Sequence, residues 1–122
     1  MQYMLLIYGE PGRWESAPEE ERNEVRGRYV ALAAELRERE AYVDGNELQD
    51  VAAAPTVRVI AGETEITDGP FAETKEALGG YFLIEAESLD EAIAWAAKIP
   101  AAAQGAVEVR PLVAMREAEV SA

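Results

Sequence analysis

The chain contains neither cysteine nor histidine. The first absence removes disulfides and thiolate metal ligands, and the second removes the commonest metal ligand and the usual general base near neutral pH. Any site must therefore use carboxylates, lysine, arginine, tyrosine or backbone groups, and neither a metal nor a cofactor is expected. Positive charge is scarce as well: 11 Lys and Arg stand against 24 Asp and Glu, for a formal net charge of -13. The excess acid is not a detachable tail, because residues 10–40 already hold nine acids to six bases and every later segment is acidic too. Such a surface repels a phosphate backbone, so no direct nucleic-acid binding is expected, whereas a basic protein partner is allowed. Long apolar runs are also missing. The uncharged apolar stretches fall far short of the about 20 residues that a membrane helix needs, and Met1-Gln2-Tyr3-Met4 lacks the basic flank of a signal peptide. A cytoplasmic protein without membrane contact is the expectation.

What is present is ordinary globular material. The 122 residues are 49% apolar and 29% charged, enough for one domain, residues 1–122, with its own core. Tyr3-Met4-Leu5-Leu6-Ile7-Tyr8 does not alternate and reads as a strand buried on both faces. Ser16 and Glu19 have capping-box spacing, and Val25, Tyr29, Leu32 and Leu36 recur at helical spacing, which predicts a helix over about 17–40 with charged residues such as Arg28 and Arg37 on its outer side. Residues 41–46 predict a short strand entering a turn, while 47–54 give no clear signal. Thr56–Ala61 and Thr64–Thr67 read as paired strands around Gly62. The run beginning at Tyr81 is a second buried strand. Ser88 and Glu91 form another capping box, opening a helix whose inward stripe is Leu89, Ala92, Ile93 and Ala96 and which Pro100 stops. Residues 106–112 alternate as a half-exposed strand does, with Pro111 demanding an edge.

This order predicts an α+β fold, the ferredoxin-like split βαβ with an antiparallel sheet, in which the first and third core strands are central. The two unbroken apolar runs fall on those two positions. Both helices then cover one face, and burying the other requires a second copy placed sheet against sheet, a homodimer.

Between the second and third core strands lies Asp68-Gly69-Pro70-Phe71-Ala72-Glu73-Thr74-Lys75-Glu76, followed by Leu78-Gly79-Gly80-Tyr81-Phe82 and later by Val107-Glu108-Val109-Arg110-Pro111-Leu112. In these motifs, and over almost its whole length, the chain resembles the YCII-related family, in the branch named for its Asp-Gly-Pro-Phe motif. The resemblance implies a dimeric α+β barrel, a small bacterial cytoplasmic protein and no established reaction. Some relatives suggest a histidine–aspartate pair as the site. Here Asp68 supplies the aspartate and no histidine exists to join it. Relatives encoded beside or fused to alternative sigma factors suggest a link to transcription.

Each motif residue has a structural reading beside a functional one. Asp68 either caps its turn by accepting backbone N–H groups or serves as a general base. Gly69 and Pro70 shape the turn, and Phe71 reads as a buried anchor or a pocket wall. Glu73, Thr74, Lys75 and Glu76 form a solvated mixed-charge loop, or Lys75 receives an anionic ligand. Gly79-Gly80 permits a bulge or a close backbone approach, or opens room for a ligand. Arg58 is a surface residue or an anion clamp. Tyr8, Tyr29 and Tyr81 read as core or cleft residues, and Trp14 as a lid or a subunit contact. The resulting expectation is a homodimer with a cleft near Asp68, lined by Tyr8, Arg58, Gly69, Pro70, Phe71, Glu73, Thr74 and Tyr81, that binds a small polar or aromatic molecule. A cofactor-free proton transfer would use Asp68 as base, with Lys75 or a tyrosine steadying the developing charge. The competing expectation is a regulatory protein that meets a basic partner such as a sigma factor. A third is an activity lost with the histidine.

Overall fold

The computed structural model describes residues 1–72 and 74–114. Strand β1 (Gln2–Gly9) leads through a four-residue helix α1 (Arg13–Ser16) into α2 (Glu19–Glu38), then β2 (Tyr42–Glu47), a hairpin of β3 (Pro55–Ile60) and β4 (Glu63–Asp68), β5 (Ala77–Glu85), α3 (Leu89–Ala97) and β6 (Ala106–Pro111). The main sheet is antiparallel in the order β2-β5-β1-β6, and β3-β4 form a separate two-stranded ribbon. This is the ferredoxin-like α+β arrangement predicted from the element order. The two unbroken apolar runs are its central strands, and Pro111 lies on the edge strand β6, where its missing N–H interrupts no ladder.

In β1 and β5 successive side chains take opposite faces. Tyr3, Leu5, Phe82 and Ile84 are buried and share one cluster with Leu32 and Leu36 of α2 and Ala92, Trp95 and Ala96 of α3, so both helices lie on that face. Met4 pairs with Leu83 and Leu6 with Tyr81 on the opposite face, where they are only half-buried. In α3 the inward stripe is turned from the prediction: Trp95 is buried, while Leu89 and Ile93 are 46% and 48% exposed. The reason is spacing, since Ala92, Trp95, Ala96 and Ile99 form the i, i+3, i+4, i+7 row that fits a narrow core.

Of the two capping boxes, one forms. Ser88 accepts from the Glu91 N–H at 3.2 Å, and the Glu91 carboxylate accepts from the Glu87 N–H at 2.9 Å, one residue earlier than the standard reciprocal bond. Ser16 does not cap α2. Its own N–H is committed to the Gly12 carbonyl at 3.0 Å, which makes it the end of α1, and Pro18 begins α2 instead, its carbonyl accepting from Arg22 at 3.0 Å. The far end of α2 closes in a Schellman motif: Glu40 N–H donates to Arg37 O and Ala41 N–H to Leu36 O, with Glu40 at φ 58° in the left-handed position that glycine usually fills.

Two irregularities interrupt the register of the sheet. The β1-β5 register passes from Ile7↔Gly80 to Tyr8↔Leu78 and so leaves Gly79 as an extra residue, and the β2-β5 register skips Val43. Gly80 also allows a close approach, because a Cβ there would stand 2.9 Å from the Asn46 carbonyl oxygen. Both structural readings of Gly79-Gly80 therefore hold.

Candidate functional site

A cavity of about 620 Å³ lies between α2 and the sheet. Its back is aromatic. Tyr29 stacks on Phe82 with ring centroids 6.3 Å apart at 23°, and Tyr42 meets the same Phe82 edge-on at 6.3 Å and 75°. Ile7 of β1 and Val25 and Ala33 of α2 complete the apolar wall. Gly45 is required beside this wall, since any Cβ there would lie 2.8 Å from the Phe82 ring. Trp14, carried by the short helix α1, stands at the mouth with the Arg26 guanidinium 5.3 Å from its ring centre, and Arg37 lies 4.2 Å over Tyr42. Burial raises the pKa of the Tyr29 hydroxyl above its ordinary value, reinforced by the Glu47 carboxylate and opposed by a backbone hydrogen bond at Ala101 and by Arg28. At neutral pH this phenol therefore keeps its proton.

A second pocket of about 450 Å³ adjoins the first, with Pro11, Gly12, Asp50 and Ala77 common to both. The Asp-Gly-Pro-Phe loop reaches this one, through Pro70, Ala72 and Thr74. Thr74 Oγ1 donates to the Glu76 carbonyl. Glu73 lies outside the described residues.

The residues singled out in the sequence are therefore dispersed. Tyr8 and Tyr81 border the larger cavity, but the Tyr81 side chain lies on the opposite face of the sheet, where its hydroxyl donates to Asp44 Oδ2 at 3.0 Å and accepts from Asn46 Nδ2 at 2.9 Å. Pro70 and Thr74 line the smaller pocket. Asp68, Gly69, Phe71, Lys75 and Arg58 line neither. Asp68 ends β4 opposite Pro55 and is exposed. Among the described residues the backbone-to-carboxylate hydrogen bonds go to Asp50 and Glu91, not to Asp68, so the expected turn cap does not form there. Gly69 takes φ 92°, and its carbonyl accepts from Thr56 Oγ1 at 2.8 Å, which ties the loop back to β3. Lys75 is exposed. Phe71 is not the buried anchor its size predicts. It is 76% exposed and carries the Arg58 guanidinium 5.1 Å over its ring, because the ribbon it follows stands off the core.

Residues 1–116 match the YCII-related domain, and the chain is 39% identical over 128 residues to an uncharacterized protein of Rhizobium meliloti (strain 1021), an alignment covering 98% of each. The chain belongs to the YCII-related family. In this YCII-related protein the aromatic cavity is larger than the pocket that the motif loop reaches. Sequence reasoning missed that Arg37 joins the cavity, having assigned it to the solvent side of α2. The available signal was Arg26, Tyr29, Ala33 and Arg37, which fall at 3.6-residue spacing on one stripe. Among the described residues no three carboxylates stand close enough to hold a metal, and no helix is long and apolar enough to cross a membrane.

Proposed function

We propose that this YCII-related protein, of the Asp-Gly-Pro-Phe branch, binds a small aromatic molecule in the cavity between α2 and the sheet. The observation that carries this reading is the aromatic back wall of Tyr29, Tyr42 and Phe82 around about 620 Å³ of space, a size that suits a small ligand. In a chain without histidine, the polar groups around that wall include the neutral Tyr29 hydroxyl, the Glu47 carboxylate and the arginines of α2. The protein works as a cytoplasmic homodimer closed over Met4, Leu6 and Leu83, whose half-buried apolar surface supports such an interface.

The test is a thermal-shift panel of phenolic and carboxylate compounds. Binding raises the melting temperature of the wild type and leaves Ala33→Trp, which fills the cavity, unmoved. Asp68 lines neither pocket, so Asp68→Asn leaves the thermal shift of the wild type unchanged; loss of the shift in that variant would move the site to the motif loop. A panel with no effect on the wild type contradicts the reading.

The net charge of -13 favours one alternative, a regulatory protein that docks a basic partner such as a sigma factor. That reading expects association that weakens steeply with salt, with no shift by small molecules.

A further inference from the structure

Among the described residues, the arginines of the cavity are not spent on the chain's own carboxylates. Arg13, Arg26, Arg28 and Arg37 line it, and the ion pairs among the described residues are made instead by the Met1 amino group, Lys98 and Arg110. All four are exposed, so they stand on the solvent side of the lining. Acids outnumber bases by 24 to 11 over the chain, and Glu10, Glu15, Glu21, Glu47 and Asp50 share the same lining. Among the described residues, five carboxylates within one cavity leave four guanidiniums without an ion-pair partner.

Aromatic rings hold two of the four in place. Arg37 lies over Tyr42 at 4.2 Å and Arg26 over Trp14 at 5.3 Å. A guanidinium held over a ring at this distance still carries five N–H donors in a planar fork that suits a bidentate acceptor. Both lie on the stripe of α2 that faces the cavity. Eleven residues apart, they sit about 16 Å from each other along the helix, with Tyr29 and the small Ala33 between them. Arg37 is contiguous with the aromatic wall, since Tyr42 under it meets Phe82 directly. Arg26 stands at the mouth.

We propose that the ligand of this cavity is an aromatic monocarboxylate, with its ring against Tyr29, Tyr42 and Phe82 and its carboxylate paired with Arg37. The assignment rests on the reading that the cavity binds a small aromatic molecule, and adds the ligand's charge and orientation. A bidentate arginine–carboxylate pair accounts for the planar donor edge. The five carboxylates account for the single charge. Five carboxylates against four guanidiniums leave the lining at net -1, so an anionic group is accepted only where it meets Arg37 directly and a second charge is repelled, which discriminates against phosphomonoesters and nucleotides.

Calorimetric titration with 2-naphthoate, the neutral 2-naphthamide and the dianionic 2-naphthyl phosphate tests this. The wild type binds the carboxylate about tenfold more tightly than the amide, the gain of one charge-assisted bidentate contact, and more tightly than the phosphate. Arg37→Met keeps the aliphatic stem over Tyr42 and loses the charge; it abolishes the preference for the carboxylate while the amide binds as before. Arg37→Lys retains part of it. Near-ultraviolet circular dichroism and a melting curve establish that each variant keeps the native packing. Equal affinities of wild type for carboxylate and amide overturn the charge assignment and leave the cavity reading standing, as does a preference that survives in Arg37→Met. Tightest binding of the phosphate overturns the single-charge argument. Binding of none of the three removes both readings.

Discussion

Single residues in this protein occupy conformations or environments that their neighbours impose, and each has a measurable consequence. Glu40 takes φ 58° because the Schellman closure of α2 requires a left-handed residue at that place. A non-glycine residue there costs about 1 kcal/mol, so Glu40→Gly stabilises the fold by about that amount and raises the melting temperature by roughly 3–5 °C. Gly105 is the opposite case. A Cβ there would stand 2.2 Å from the Tyr8 carbonyl oxygen, a backbone atom in a central strand that cannot move aside, and Gly105→Ala costs about 3 kcal/mol in a denaturant titration. Tyr29 links stability to pH. Its pKa is raised in the folded chain above 10.0, so the native state holds its proton where the unfolded chain has lost it. The stability this contributes is complete below pH 10 and is lost as pH rises through the folded value; Tyr29→Phe removes that part of the alkaline decline. None of the three is visible in composition. Glycine preference at helix ends and the hydrophobic role of tyrosine are, but a left-handed glutamate and a desolvated phenol arise only once the chain has closed.

Secondary elements were legible where a side chain acts on its own neighbours, and illegible where a second element decides. The Ser88 cap follows from the Ser-Leu-Asp-Glu spacing alone, and it forms. The same spacing at Ser16 does not, because α1 captures that serine's backbone first. Ser88→Ala therefore costs about 1 kcal/mol, while Ser16→Ala stays within about 0.5 kcal/mol of wild type; equal losses would contradict the assignment. The β3-β4 ribbon shows the limit again. Its strand pattern was clear, and its pairing from Pro55↔Asp68 to Ile60↔Glu63 is regular. Its position was not, since Val57, Val59 and Ile66 suggest burial yet are 58%, 67% and 68% exposed. Phe71 follows the ribbon outward for the same reason. The arginine stripe of α2 was hidden by a local rule too: charged residues on a helix are read as facing solvent, but a cavity mouth is partly solvent, and Arg37 serves both.

At the scale of the whole molecule, the element order alone yielded the sheet and its central strands, because alternative arrangements leave the runs at Tyr3 and Tyr81 on an edge. The cavity was not legible, since its lining draws on β1, α1, α2, β2 and β5 and on the small side chain of Ala33, residues far apart in the chain. It is built within a single chain, between α2 and its own sheet, so binding and dimer formation are separable. Leu6→Glu, placed at the centre of the open face beside Tyr81 and Glu108, converts the proposed dimer to a monomer in sedimentation velocity and leaves the cavity intact. A wild type that sediments as a monomer at the same concentration contradicts the interface. The location of binding is tested most directly by titrating the ¹⁵N-labelled protein with 2-naphthoate and following its amide resonances. The account predicts shifts concentrated on α2 between Arg26 and Arg37 and on β5 around Phe82; shifts confined to the β3-β4 ribbon and the Asp68 loop would contradict it.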